Sequence, residues 1–193
     1  MKSHPALPLT RAEVVKRALY AAAQLPVVGY ELGEGGRFPA ESTPATPNEH
    51  GDPRSDCVGF VCWAWGLDRW DPAFPVYGGW RNTDSLIEDA KTSRHTVVEI
   101  RPDELLPGDA LVFGSRRSKL PPFGRIPGHI CVVVDSQDRR GWRGWASTQV
   151  VDCSGGKAHR EGRAINLRTA AIWEARGIAI RLRRFVAPVA TAA

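Results

Sequence analysis

The sequence lacks any apolar run long enough to span a membrane, so we expect no membrane insertion. Its N-terminal stretch, MKSHPALPLTRAEVV, lacks the apolar segment of a secretory signal, and we expect synthesis in the cytoplasm without one. Cysteine is sparse, and Cys57, Cys62, Cys131 and Cys153 show neither CxxC spacing nor the density of a disulfide scaffold. This scarcity favours reduced thiols, although the disulfide state of Cys62, Cys131 and Cys153 stays open.

Positive charge prevails in the chain but is not concentrated. The 193 residues carry a formal charge of +5 with a pI near 9.3, which favours anionic surroundings such as nucleic acid, a membrane surface or a cell wall. The basic residues form no helix face and do not alternate with aromatics, so we expect no nucleic-acid partner. With 42% hydrophobic residues, the length predicts one domain, residues 1–193, with its core at about 10–187.

Helix signals come first along the chain and strand signals follow. Thr10 and Glu13 form a capping box ahead of an apolar helical repeat, and Ser55-Asp56 can cap a second helix over about 57–66. Further helices are expected at about 83–91 and 169–176, and strands at 110–113, 129–135, 148–153, 163–167 and 178–186. This order predicts an α+β fold with N-terminal helices packed on a central antiparallel β-sheet.

Two segments are expected to be irregular. Residues 29–54 are rich in Gly, Pro, Ser and Glu and predict a long loop, which in a compact domain is usually functional or disordered. Trp142 and Trp145 stand among Arg and Gly residues, a pattern that predicts a hairpin tip. Stacking of these two tryptophans on a glycan is the alternative.

Cys57 is the candidate nucleophile. It falls in the first turn of the second predicted helix, where backbone amides and the helix dipole favour an anion, so we expect a thiol pKa below the usual ~8.5. Cys62 lies more than a turn further along, between Val61 and Trp63, with nothing nearby to hold a charge. We therefore expect Cys57 to react and Cys62 to pack; a merely buried Cys57 is the alternative.

His129 is the candidate base, because it opens the most apolar predicted strand, where a rigid element can present an imidazole. Asp152 is the candidate acid that orients it, with His159, in a polar loop, and Asn166 as alternatives. Two-residue alternation puts Cys131 on the strand face of His129, which we expect to face the nucleophile helix. No recognised metal-ligand spacing occurs, so no metal or cofactor is predicted.

Four segments, in order, resemble the NlpC/P60 cysteine peptidases. Residues 56–61, DCVGFV, resemble the nucleophile motif DCSGFV of that family. Residues 106–113, LPGDALVF, resemble its PGDLvfF segment, and residues 127–134, PGHICVVV, resemble its GHVGIvv segment. Upstream, residues 30–36, YELGEGG, are similar to its Tyr-x-x-Gly-Gly segment. The order and spacing agree over about 10–187, which is almost the whole chain.

The resemblance implies a papain-like α+β fold, amide hydrolysis in bacterial peptidoglycan, and a relation to the CHAP amidases. It implies that Cys57 is the nucleophile and that His129 is its base. It also implies that Asp152 occupies the third polar position, where NlpC/P60 members commonly have histidine. An acid can orient an imidazole as well, so this departure leaves the expected mechanism intact.

The resemblance also implies a set of residues around the nucleophile. Tyr30 is expected beside Cys57, where it and the Cys57 amide would stabilise an oxyanion, and Asp56 and Val58 are expected to contact substrate. Val58 stands where the family has a serine that in some members binds the free amine of the stem peptide. We therefore expect specificity to depart from γ-D-glutamyl cleavage at this position.

Together these expectations describe a peptidoglycan hydrolase that cuts an amide of the stem peptide or its link to the glycan. It would be a phage lysin or a secreted antibacterial amidase effector. We expect a monomer that acts in the periplasm or cell wall after phage-type release or dedicated secretion, with an immunity or inhibitor protein open as a partner. The alternatives are a non-catalytic cell-wall-binding domain and a thiol acyltransferase or deamidase acting on proteins.

Overall fold

The computed structural model describes residues 9–24, 29–33, 54–117, 124–138, 141–142 and 144–185. Most of the loop expected at 29–54 lies outside these residues. The described residues form four α-helices: α1 (Arg11–Gln24), α2 (Cys57–Trp65), α3 (Thr83–Lys91) and α4 (Gly155–Glu161). They also form twelve strands: β1 (Gly29–Tyr30), β2 (Arg54–Ser55), β3 (Val97–Ile100), β4 (Ala110–Phe113), β5 (Arg116–Arg117), β6 (Arg125–Ile126), β7 (His129–Asp135), β8 (Gln137–Asp138), β9 (Gly141–Trp142), β10 (Gln149–Cys153), β11 (Ile165–Thr169) and β12 (Ile178–Leu182).

Six of these strands form an antiparallel sheet in the order β11-β10-β7-β4-β12-β3. The strand β7 is therefore flanked by β10 on one side and by β4 on the other. The short strands pair separately, β1 with β2 in parallel and β5 with β6 and β8 with β9 in antiparallel hairpins. The predicted α+β class, with helices and a central antiparallel sheet, is confirmed.

Side-chain caps fix where the first three helices begin. At α1, the amide of Thr10 donates to Oε2 of Glu13 at 2.6 Å, so the predicted capping box is present. At α2, Asp56 is the N-cap, and the helix ends at Gly66, whose φ of +66° suits glycine. At α3, Asn82 and Ser85 form a second capping box. These local signals explain why the helix positions could be predicted.

The helices cover one face of the sheet only. Side chains of α1, α2 and α3 pack with Ile130, Val132 and Val134 of β7 in one hydrophobic cluster. Cys131 and Val133 point to the opposite face, into a second cluster around Trp173. The expectation that the face shared by His129 and Cys131 lies toward the nucleophile helix is therefore wrong. The even-numbered residues of β7 pack against the helices, and His129, Cys131 and Val133 face the second cluster.

Several smaller predictions also need correction. The polar loop around His159 is the short helix α4, and the helix expected at 169–176 is a single 3-10 turn, Ala171–Trp173. A hairpin of β8 and β9 is present, but Trp142 belongs to β9 and Trp145 lies beyond it, half-buried against the second cluster, so the two tryptophans do not form its tip. All four cysteines are buried free thiols. Within the described ranges, no helix has the length and apolar character needed to cross a membrane.

Asp109 joins the helical layer to the sheet. Its fully buried carboxylate accepts hydrogen bonds from Nη1 of Arg11 at 2.7 Å, from Nη2 of Arg181 at 2.9 Å and from the amide of Leu106 at 2.9 Å. Arg11 belongs to α1 and Arg181 to β12, so one carboxylate holds both elements to the turn before β4. A buried charge is tolerated only when it is paired and hydrogen-bonded in this way.

We expect Asp109→Asn to lower the free energy of unfolding by about 2–4 kcal/mol, because Arg11 and Arg181 lose their counter-charge. The matched control is Asp103→Asn, whose pair with Arg101 at 3.2 Å is mostly exposed and contributes less than about 1 kcal/mol. Urea unfolding of both variants measures the difference. Equal losses would contradict a central role for Asp109.

Candidate active site

The N-terminus of α2 is held by the carboxylate of Asp56. Its Oδ1 accepts the amide of Gly59 at 2.7 Å, and its Oδ2 accepts the amide of Gly33 at 2.8 Å. Arg69 donates to both oxygens, at 2.5 and 2.7 Å, in a buried bidentate pair. Both oxygens of Asp56 are therefore occupied, and the residue has a structural role in addition to the substrate contact expected from sequence.

Cys57 occupies the first turn of α2, as predicted, but its thiol is only 3% exposed. Burial, followed by the charge of Asp56, raises the pKa of Cys57 to about 12, although the Ile130 amide and Arg69 oppose the shift. The expectation of a lowered pKa is therefore wrong. The hydrogen bond from the Ile130 amide places the thiol next to the residue that follows His129.

His129 and Asp152 lie on neighbouring strands and are hydrogen-bonded. Nε2 of His129 is 2.5 Å from Oδ2 of Asp152, and Asp152 is fully buried. This bond leaves Nδ1 as the ring nitrogen available to a thiol. Within the described residues, no hydrogen bond joins the His129 ring to Cys57, because the ring lies on the sheet face of Trp173 whereas Cys57 packs under the helical layer on the opposite face.

Arg168 and Trp173 complete the surroundings of this pair and were not predicted from sequence. Nη2 of Arg168 donates to Oδ2 of Asp152 and lies 3.3 Å from Nε2 of His129. The buried Trp173 ring stacks on His129 with centroids 5.4 Å apart, and the Arg168 guanidinium lies over the same ring. Arg168 lies two residues after Asn166, so strand alternation on β11 was the available signal.

Three buried polar atoms around His129 have no hydrogen-bond partner among the described residues: Oδ1 of Asp152, Nε of Arg168 and Nε1 of Trp173. Most buried polar groups in proteins are paired, so such a concentration marks a region that stability alone does not explain. The two donors and one acceptor belong to the three residues that surround the imidazole.

The two alternatives to Asp152 are placed differently. The side-chain amide of Asn166 donates to the carbonyls of Arg163 and Ala164, both at 3.0 Å, although Asn166 pairs with Asp152 in the sheet. His159 lies in α4, but its side chain is outside the described part of the structure. Asp152 is thus the residue that the structure pairs with Nε2 of His129.

Tyr30 lies close to Cys57, as expected. Its ring is half-buried against the helix-side cluster and next to Gly155, where an added Cβ would come within 2.8 Å of the ring. Burial, followed by the charges of Cys57 and Asp56, raises the pKa of Tyr30, so its hydroxyl stays protonated and can donate a hydrogen bond. β1 pairs in parallel with β2, which directly precedes α2, and this pairing places Tyr30 next to the start of α2.

A cleft of about 450 Å³ opens beside the thiol. Cys57 and Val58 line this cleft. The other residues that line it are Leu32, Gly33, Asp56, Arg69, Tyr77, Trp80, Asn82, Thr83, Asp84, Ser115, Arg125, Pro127 and Gly128. Val58 is almost completely buried there, at the position expected to bear on specificity. The cleft combines apolar, aromatic and charged groups, the mixture typical of sites that bind small ligands.

Gly128 lies at the edge of the cleft, where the start of β7 passes close to α3 and β4. A Cβ at this position would overlap Oγ1 of Thr83 and the carbonyl oxygen of Phe113. The start of β7 can therefore approach α3 and β4 only because residue 128 has no side chain. This close approach fixes the direction in which the chain enters His129.

No metal site was predicted, and the described residues contain no group of three or more His, Cys, Asp or Glu side chains placed to hold a metal ion. Comparisons with protein-family models, with curated proteins and with solved structures found no match for this chain.

The raised pKa predicts slow alkylation of Cys57 in the free protein. At pH 7.5 iodoacetamide should modify Cys57 at least about a hundredfold more slowly than in urea-unfolded protein, because thiolate is rare below the pKa of about 12. The rate should rise about tenfold per pH unit past pH 9, whereas the unfolded protein reaches a plateau there. Peptide mass mapping measures both rates, and a native plateau below pH 9 would contradict the shift.

Arg168→Met should lower the free energy of unfolding by about 2–4 kcal/mol, because it removes the cationic partner of a fully buried carboxylate. Arg176→Met is the matched control: that arginine is exposed over Phe113, and we expect a loss of about 1 kcal/mol or less. In the double variant Arg168→Met/Asp152→Asn the two losses should not add. Additive losses would contradict the pairing.

Proposed function

We propose that this protein is a cysteine hydrolase of the papain-like NlpC/P60 type that cleaves an amide bond of bacterial peptidoglycan. The observation that carries the proposal is the 2.5 Å bond between Nε2 of His129 and the buried Asp152, in a fold where Cys57 occupies the first turn of α2. An acid held on one ring nitrogen sets the tautomer and leaves the other nitrogen as a base. Because the ring lies on the sheet face of Trp173, the proposal requires that it turn toward Cys57 when substrate binds. A helix-bordered cleft next to an antiparallel sheet also supports this fold type.

The proposed reaction passes through a thioester. Sγ of Cys57 attacks the amide carbonyl carbon while its proton passes to Nδ1 of His129 and then to the leaving amine, as the C–N bond breaks. Water then gives a proton to His129 and adds to the thioester, which releases the acid product and restores the thiol. The Cys57 amide in the first turn of α2 and the protonated hydroxyl of Tyr30 would stabilise the oxyanion.

The raised pKa of Cys57 bears on when the proton leaves. In the free protein the thiol is neutral, because its burial disfavours the thiolate. We propose that the proton transfers to His129 as the carbonyl is attacked, by general-base catalysis, and not by a thiolate that exists beforehand. The Asp152 carboxylate would then stabilise the imidazolium that forms.

A non-catalytic cell-wall-binding domain is the second candidate. The specific observation in its favour is the same thiol, which is almost completely buried and has a raised pKa. Buried structural cysteines are usually inert. This candidate predicts binding of sacculi without cleavage and gives no role to the His129–Asp152 bond.

The site of action follows from the proposed substrate. Peptidoglycan lies in the periplasm or cell wall, so we propose that the protein works there after phage-type release or dedicated secretion. The net charge of +5 would favour association with the anionic wall. An immunity or inhibitor protein would act at the cleft beside Cys57.

The decisive experiment incubates purified sacculi with the protein and identifies released fragments by mass spectrometry. Cys57→Ser should slow release about a thousandfold or more, because it replaces the nucleophile, and His129→Ala should do the same. Cys62→Ala is the matched control, since this buried thiol lies on the same helix and takes no part in the reaction. It should retain activity.

Two results would overturn the assignment. Equal release by the protein and by Cys57→Ser would show that the thiol is not the nucleophile. Binding to sacculi without release by any variant would favour the non-catalytic candidate. The fragment masses also report which amide is cut, and so whether Val58 accompanies a different specificity.

A further inference from the structure

The segment Tyr77–Gly79 has an unusual backbone. Three consecutive residues have positive φ angles, +52° at Tyr77, +62° at Gly78 and +90° at Gly79. Glycine tolerates this conformation, but a bulky residue such as Tyr77 adopts it only at a cost in backbone strain. Such outliers cluster at sites of function and persist only where surrounding contacts enforce them.

Contacts with Trp70 and Asp71 enforce this conformation. The carbonyl of Gly79 accepts the amide of Asp71 at 2.9 Å, and the carbonyl of Gly78 accepts Nε1 of Trp70 at 3.1 Å. A Cβ at position 79 would be 2.5 Å from the carbonyl oxygen of Asp71, so only glycine fits there. The segment is therefore held in one shape before any ligand arrives.

The strained segment places two aromatic rings on the cleft. Tyr77 is 56% exposed and Trp80 is 39% exposed, and both line the cleft that contains Cys57. Arg69 lies over the Trp80 ring at 5.1 Å, and Arg69 is itself fixed by Asp56. Exposed aromatic rings at the mouth of a cleft gain little from the core, so their placement points to a ligand.

Polar groups share the cleft with these rings. Ser115 donates to Asp84 at 2.5 Å, and Nη2 of Arg125 donates to the same carboxylate at 2.7 Å. A sugar ring matches this combination, because its C–H face stacks on an aromatic ring while its hydroxyl and amide edges form hydrogen bonds. An aliphatic peptide side chain would not use the polar groups.

We infer that Tyr77 and Trp80 form a stacking platform for a sugar ring of a β-1,4-linked amino-sugar glycan. The inference rests on the proposed function in one respect: it implies that the hydrolase binds its peptide with the glycan still attached. The platform itself requires no catalysis. It can therefore be tested in a variant without the thiol.

The binding test uses Cys57→Ala and a soluble tetramer of β-1,4-linked N-acetylglucosamine, followed by calorimetry. We expect binding that weakens at least about tenfold in Cys57→Ala/Tyr77→Gly and is retained in Cys57→Ala/Tyr77→Phe. The control Cys57→Ala/Tyr20→Ala removes a tyrosine that is 49% exposed on α1, outside the cleft, and should bind normally. The thermal midpoint of Tyr77→Gly should not fall, since glycine relieves the strain at φ +52°.

The outcomes separate this inference from the proposed function. No binding at about 10 mM tetramer, or equal weakening by the Tyr20 and Tyr77 changes, overturns the platform even if sacculi are cleaved. Tyr77-dependent binding without any cleavage supports the platform and rejects the hydrolase. If cleavage occurs, Tyr77→Gly should raise KM for a glycan-linked peptide and leave KM for the free peptide unchanged. An equal effect on both peptides overturns the platform.

Discussion

The buried pair of Asp56 and Arg69 is the interaction on which the candidate site depends. A carboxylate this deep in the protein is tolerated because a bidentate guanidinium and two backbone amides satisfy it. The same carboxylate starts α2, holds Gly33 against the helix and fixes Arg69 beneath Trp80. The position of Cys57 and the aromatic side of the cleft are thus consequences of one ion pair.

That arrangement also determines the chemistry open to Cys57. The negative charge of Asp56 raises the thiol pKa, while Arg69 and the Ile130 amide act in the opposite direction, and burial outweighs them all. The helix N-terminus therefore does not by itself yield a thiolate. His129 is held by Asp152, Arg168 and Trp173 on the other face of the sheet, so in the free protein the base and the thiol lie on opposite faces.

Local signals in the sequence predicted local structure well. The capping box at Thr10, the cap at Asp56 and the apolar run of β7 each depend on neighbours within a few residues, and all are present. The two-residue alternation of a strand correctly placed Cys131 and His129 on one face of β7. It could not show whether the even- or odd-numbered residues face the helices, because the packing of distant elements decides which face is covered. The α4 helix was missed because its glycine-rich start reads as a loop.

Features that depend on long-range packing escaped prediction. The thiol pKa is set by burial under residues from several elements, so the helix position alone gave the wrong direction. Arg69 and Asp56 are 13 residues apart in the sequence, and Arg168 and His129 are 39 residues apart. Neither separation belongs to a recognised sequence motif, so neither contact could be predicted. The His129–Asp152 contact followed from a family pattern that already encodes such distances.

The missing side chain at Gly128 has a consequence for anyone who wishes to redesign this cleft. Thr83 and the Phe113 carbonyl occupy the space that a Cβ at position 128 would need, so a side chain fits at position 128 only if residue 83 becomes smaller. A library that varies residue 128 alone would mostly sample displaced imidazoles, whereas paired changes that shrink residue 83 could widen the entrance. The cleft is thus best engineered by changing the first residue of α3 together with the residue before β7, both of which line it.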